Sequence, residues 1–182
     1  NRGAMRIIQP GAFVAQPWKN GGGVTQEIAR AEAPFWRLSI AEVSTDGPFS
    51  AFAGLTRILT VIEGAGIALH TPAGVQAATP LQPVRFSGDV PVLGRLCGGP
   101  IRDLNLIFDA TRLEAAVTPL TGPERRELAA DGLAMVLCLG GSVSMGAATV
   151  PRGAVAVMEG EGGVLALAAG ALALLVLVRD IG

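Results

Sequence analysis

Short aliphatic runs, interrupted every few residues by proline or glycine and almost never keeping a 3.6-residue period, pattern this chain as a succession of short β-strands. The clearest lies at residues 36–43, where Trp36, Leu38 and Ile40 fall on one face and Arg37, Ser39 and Ala41 on the other. Residues 24–30 fit either a helix or a strand. One short helix is predicted at 123–130, with Thr121 as its cap, Pro123 in the first turn and Gly132 at its end. Residues 162–178 are uncharged and mostly apolar, but shorter than the ~20 residues a membrane span needs. Gly170 divides them into two pieces of strand length, so the segment predicts two buried strands joined by a turn.

The later half of the chain repeats the earlier one. Residues 61–69 lie over 137–145, each a strand, a glycine turn and a strand, and each read as a hairpin. A proline-bearing loop follows in both. Residues 86–89 then lie over 158–161, and 103–109 over 174–180. The double pattern predicts two small, packed β-barrels, one over residues 5–110 and the other over 111–182. The copies differ in chemistry, since Asp103 and Asn105 of the first stand where the second has Leu174 and Val176. All eight aromatic residues, from Phe13 to Phe108, are also in the first copy. An apolar, aromatic pocket with a few convergent polar groups describes a small-molecule site, so the first barrel is expected to carry it.

Composition removes several function classes. Half of the 182 residues are hydrophobic, only 16% are charged and the net charge is −1, which provides no electrostatic footprint for nucleic acid or an anionic membrane surface. Cys97 and Cys138 lack C-x-x-C spacing, which predicts reduced thiols in a cytoplasmic protein. Residues 1–4 precede a natural-looking start at Met5 and read as an expression remnant. His70 is the one histidine, too few ligands for a cupin-type metal centre, so neither a metal nor another cofactor is expected. It precedes Thr71-Pro72 and reads as a turn residue. With no G-x-S-x-G, Ser-His-Asp catalysis is also disfavoured.

The candidate chemistry starts at Trp18-Lys19-Asn20-Gly21-Gly22-Gly23, a cation and an amide beside an aromatic ring and three residues without side chains. The loop is either a ligand contact or a bend closing a barrel end. Arg57, among aliphatic neighbours, is either a carboxylate clamp or one half of an internal ion pair with Glu42, Glu63 or Asp103. Arg37 and Ser39 share a strand face and are expected in the pocket, because the opposite face already supplies a core. Acid-base work would fall to Glu42, Glu63, Asp103 and Lys19.

Taken in order, Pro-Trp-Lys-Asn-Gly-Gly-Gly at 17–23, Trp-Arg-Leu-Ser-Ile-Ala at 36–41, Gly-Pro-Phe-Ser at 47–50, Arg57 before a strand ending Glu63-Gly64, and Asp103-Leu104-Asn105 resemble the HutD/Ves family. The specific motifs stop near Asn105. The resemblance implies a bicupin of the RmlC-like type, metal-free, linked to bacterial histidine utilisation and without an established catalytic activity. Carried onto this chain, it makes Lys19, Asn20, Arg37, Ser39, Arg57, Asp103 and Asn105 the expected ligand-binding set. It implies a small anionic metabolite as partner, N-formylglutamate or urocanate, bound to sense or limit pathway flux. A metal-free cupin isomerase, epimerase or hydrolase, and a regulatory subunit acting through a protein-contacting face, are the competing expectations.

Overall fold

A computed structural model describes residues 5–182, so the expectation for residues 1–4 lies outside the described residues. The chain opens on β1 (Arg6–Ile8) and a 3-10 turn (Pro10–Ala12), then runs through β2 (Val14–Pro17), β3 (Gly23–Glu32), β4 (Phe35–Val43), β5 (Gly47–Pro48), β6 (Thr56–Glu63), β7 (Ile67–Thr71), β8 (Gly74–Ala78), β9 (Val84–Ser87), β10 (Leu93–Leu96) and β11 (Ile101–Phe108). It continues as β12 (Leu113–Thr121), β13 (Glu124–Leu128), β14 (Leu133–Gly140), β15 (Val143–Met145), β16 (Ala148–Thr149), β17 (Val155–Glu159), β18 (Gly163–Leu167) and β19 (Leu172–Asp180). There is no α-helix among the described residues, and hence no helix long and apolar enough to cross a membrane.

Two compact units result. In Val14–Thr111, a six-stranded antiparallel sheet ordered β2-β3-β4-β11-β6-β9 faces a four-stranded sheet ordered β5-β10-β7-β8. Their shared core holds Ala41, Val43, Leu59 and Val61 from the larger sheet and Ile67, Leu69 and Ala78 from the smaller. The other unit joins the segment through Phe13 to Arg112–Gly182, with sheets ordered β1-β17-β14-β19-β12 and β13-β18-β15-β16. Its core, centred on Val136, Cys138, Val143, Met145, Leu165 and Leu175, is aliphatic and sulfur-bearing throughout.

The sequence repeat is a repeat of topology. Substituting β12 for β4, β19 for β11, β14 for β6 and β17 for β9 converts the centre of one large sheet into the other. The small sheets correspond strand for strand. The register matches as well: Asp103 faces Val61 across the ladder, as Leu174 faces Leu137.

Several local expectations need correction. The paired segments 61–69 and 137–145 are not hairpins, because β6 pairs with β11 and β9 while β7 pairs with β10 and β8; the glycine turn carries the chain from one sheet to the facing one. Gly64, at φ 97°, makes that corner possible, since a Cβ there would lie 2.6 Å from the Pro100 carbonyl oxygen. The helix predicted at 123–130 is instead strand β13, paired with β18 along Glu124–Leu128. Its entry is pinned by Gly122, which donates to the Ala171 carbonyl and has no room for a Cβ against Ala168. Pairing therefore overrides the helical propensity of Glu-Arg-Arg-Glu-Leu. His70 lies within β7, paired with Leu93 and Val75, rather than in the turn beyond. Residues 5–13, expected with the first barrel, fall in the other unit because β1 adds to the edge of β17. The ambiguous segment 24–30 belongs to β3, and residues 162–178 contain β18 and most of β19, separated at Gly170.

Candidate functional site

The larger sheet of Val14–Thr111 has an interior face that changes character along its length. Ala41, Val43, Leu59 and Val61 enter the core; on the same face of the same strands stand Arg37 and Ser39 from β4, Arg57 from β6, and Asp103 and Asn105 from β11, with Asp103 in the row of Ala41 and Val61. Antiparallel register sets these side chains in rows, Arg37 beside Ile107 beside Arg57, and Ser39 beside Asn105 beside Leu59. The alternation of a strand then points all of them to one side. They line a cavity of about 570 Å³ whose mouth carries Lys19 and Asn20, so one space gathers all seven residues of the expected set.

Arg57 is the centre of this arrangement. Its side chain is 7% exposed and its Nη1 donates to the Ser50 carbonyl at 3.0 Å. The guanidinium carbon lies 5.0 Å from the ring centroids of both Phe52 and Phe86 and 5.5 Å from that of Phe49, a cation enclosed by three aromatic faces. Two glycines shape the enclosure: a Cβ on Gly94 would strike the Phe49 ring at 2.8 Å, and one on Gly88 would meet the Phe52 carbonyl at 2.2 Å. Nε of Arg57 has no hydrogen-bond partner, and no carboxylate makes a salt bridge with Arg57 among the described residues. Of the two readings of Arg57, the internal ion pair is absent. Glu42 and Glu63 are engaged by Arg102, at 3.7 and 3.1 Å, and neither lines the cavity.

Asp103 is 1% exposed and accepts from Asn105 Nδ2 along the same strand. Burial pushes its pKa up to about 7, against the pull of the Asn105 hydrogen bond and the Arg57 charge. Burial likewise lowers Arg57 to about 10, helped by Arg37 and opposed by Asp103. The two charges therefore influence each other through space without touching. Arg37 is less free, because its Nε lies 2.9 Å from Glu27 Oε1, close enough for an ion pair though without the angle of a hydrogen bond. Asn20 is partly committed to its own loop, its Oδ1 accepting from the Gly22 amide at 2.8 Å. Lys19 is exposed at the rim.

The glycine run works as architecture beside the cavity. Gly23 sits in β3 with the Trp18 ring laid over it: a Cβ would fall 2.4 Å from the Glu42 carbonyl oxygen and 3.0 Å from the ring. Trp18 is then fixed by Nε1 donating to Thr25 Oγ1 at 2.8 Å and by an edge contact with Phe49, at 6.3 Å between centroids and 72° between planes. Phe49, Phe52 and Phe86 were not individually recognisable in the sequence as a cage for Arg57, since over thirty residues separate Phe52 from Phe86. The available signal was the confinement of aromatics to the first copy of the repeat. Groups of three or more His, Cys, Asp or Glu side chains able to hold a metal are absent among the described residues.

Comparison with known proteins matches the HutD family model to residues 11–176. An uncharacterised 21.2 kDa protein in the hutC 3′ region of Pseudomonas putida is 40% identical over 129 residues, covering 66% of this chain and 67% of that one. HutD from Pseudomonas fluorescens SBW25, solved in a formate condition, superposes with a TM-score of 0.87 at 33% identity, over 98% of this chain and all of that one. A conserved protein of unknown function from Pseudomonas aeruginosa PAO1 gives 0.89 at 31% identity, with the same coverage. YlbA and the pirin YhhW of Escherichia coli, at 11% and 8% identity and TM-scores of 0.78 and 0.73, share the cupin-like fold alone.

Proposed function

The chain belongs to the HutD family, and from that premise we propose that it is a binding protein for a small acidic metabolite, which it detects in order to sense or limit histidine degradation. One observation carries this reading: a buried guanidinium, enclosed by rings and unpaired with any carboxylate among the described residues, faces a cavity of about 570 Å³. A buried charge without a counter-charge costs free energy, and an incoming carboxylate relieves that cost through the planar fork of the guanidinium. Arg57 and Lys19 would hold the acid, with Asn20, Ser39 and Asn105 reading a formyl, amide or imidazole group, Arg37 adding positive potential and Asp103 acting on Arg57 through its charge. The link to histidine utilisation is supported by the family and by the relative in the hutC 3′ region. N-formylglutamate and urocanate are the ligands of choice.

Binding is favoured over turnover because two of the candidate general bases, Glu42 and Glu63, are engaged by Arg102 away from the cavity. A cytoplasmic setting fits the two free thiols, Cys97 and Cys138. Titration calorimetry with N-formylglutamate, urocanate and glutamate tests the reading. The expected result is binding of at least one acid, weakened by about 2–5 kcal/mol in Arg57→Ala, the usual effect of truncating one partner of a buried charge pair. Equal affinity in a folded Arg57→Ala protein refutes it.

A further inference from the structure

Asp103 and Asn105, which both line the cavity, leave two buried oxygens with no protein donor. They follow each other on one face of β11, and Asn105 Nδ2 is engaged by Asp103 Oδ1. Asp103 Oδ2 and Asn105 Oδ1 remain, both buried and both without a hydrogen-bond partner. Their residues are 1% and 6% exposed and line the cavity. Nearby cations do not serve them: Arg57 Nη1 goes to the Ser50 carbonyl and Arg37 pairs with Glu27. Buried acceptors without donors are costly.

The fold does not require them. At the equivalent positions of the other unit, in the same register, stand Leu174 and Val176, at 0% and 1% exposure. A strand that packs well with two aliphatic residues carries in its counterpart a pair of acceptors beside a cavity, Asn105 two residues along the strand, roughly 7 Å, and Asp103 four residues, roughly 13 Å, from the row that holds Arg57. The cavity thus offers a cation at one place and two unpaired acceptors at another.

Building on the acid-binding reading above, we infer that this site selects acids that also carry an N–H donor: the acid group meets Arg57, and the N–H meets Asp103 Oδ2 and Asn105 Oδ1. N-acylated amino acids and azole carboxylic acids are the two classes with that pairing. Above pH 7, where the Asp103 carboxyl is ionised, a plain dicarboxylate is rejected, because its second carboxylate would bring lone pairs and charge against two acceptors. An ester or oxazole analogue fits the same space but leaves the acceptors buried and unpaired.

Matched pairs differing only in that N–H test the inference by calorimetry at pH 8: N-acetylglutamate against O-acetyl-2-hydroxyglutarate, and urocanate against 3-(oxazol-4-yl)acrylate. The N–H member of at least one pair is expected to bind about tenfold or more tighter than its oxygen isostere. The double variant Asp103→Leu/Asn105→Val, which copies the other unit, is expected to remove that preference, so that both members of each pair bind alike. Equal affinity of wild-type protein for both members of each pair overturns the inference and leaves the acid-binding reading standing. Binding of none of the four acids overturns both. A preference that survives in the folded double variant assigns the N–H to other groups and likewise overturns it. The wild-type comparison decides the matter should the double variant not fold.

Discussion

Replacing Asp103 by asparagine should change how stability depends on pH more than stability itself. The carboxamide keeps the shape of the side chain and can still accept from Asn105 Nδ2, but it cannot ionise. In the native protein burial raises the Asp103 carboxyl from 3.8 to about 7, so the folded state holds this proton more tightly than the unfolded chain does. The sign follows from linkage: below pH 4 the carboxyl is protonated in both states and contributes no pH dependence. Between about pH 4 and 7 the unfolded chain has lost the proton and the native state has not, so stability falls as pH rises. Above pH 7 the loss is complete. At about 1.4 kcal/mol per pH unit, this penalty reaches about 4 kcal/mol, a large share of the 5–15 kcal/mol that holds a typical domain together. Urea denaturation of wild type and Asp103→Asn at pH 4.5, 6 and 8 measures it, with the other carboxylates cancelling between the two proteins. The variant should gain about 3–4 kcal/mol relative to wild type between pH 4.5 and 8. A difference constant to within about 1 kcal/mol would show that Asp103 titrates normally and refute the assignment of burial as the dominant influence.

Arg57→Lys should restore only part of the acid affinity lost in Arg57→Ala, because a point-like ammonium reproduces neither the planar fork nor the stacking on Phe52 and Phe86; full rescue by calorimetry would contradict the geometry. Gly23→Ala should destabilise by about 1–3 kcal/mol through overpacking and shift the fluorescence of Trp18, whose ring would be pushed from Thr25; an unchanged melting temperature and spectrum would mean the loop relaxes freely. Elemental analysis of untagged protein should find no stoichiometric zinc, iron, nickel or manganese, and one equivalent of any of them would revive a metal-dependent reading.

Strand content and the repeat were legible because both rest on local text: alternation at 36–43, glycine corners at Gly64 and Gly141, and aliphatic runs at 133–140 and 172–178. Partner choice was not. Whether a strand, a glycine turn and a strand fold back as a hairpin or cross to the facing sheet depends on β9, β10 and β11, which are distant in sequence. The same non-local pairing turned 124–128 from helix to strand. In the site, polar residues betrayed themselves by interrupting an otherwise aliphatic repeat, as Asp103 and Asn105 do against Leu174 and Val176. The aromatic enclosure of Arg57 did not, since Phe49, Phe52 and Phe86 look like ordinary core residues until tertiary structure brings them together.

Holding Arg57 by rings and a carbonyl also determines how the site responds to ionic strength. Mobile ions screen exposed charges over a Debye length of about 8 Å at physiological salt, but reach a desolvated charge poorly. Lys19, at the rim, contributes an attraction that fades as salt is added. The pull of Arg57 on an anion survives, since no counter-ion can enter the enclosure without taking the place of the anion itself. Added salt should therefore slow capture of an acid, through the weakened field of the rim, while leaving the residence of a bound acid nearly unchanged.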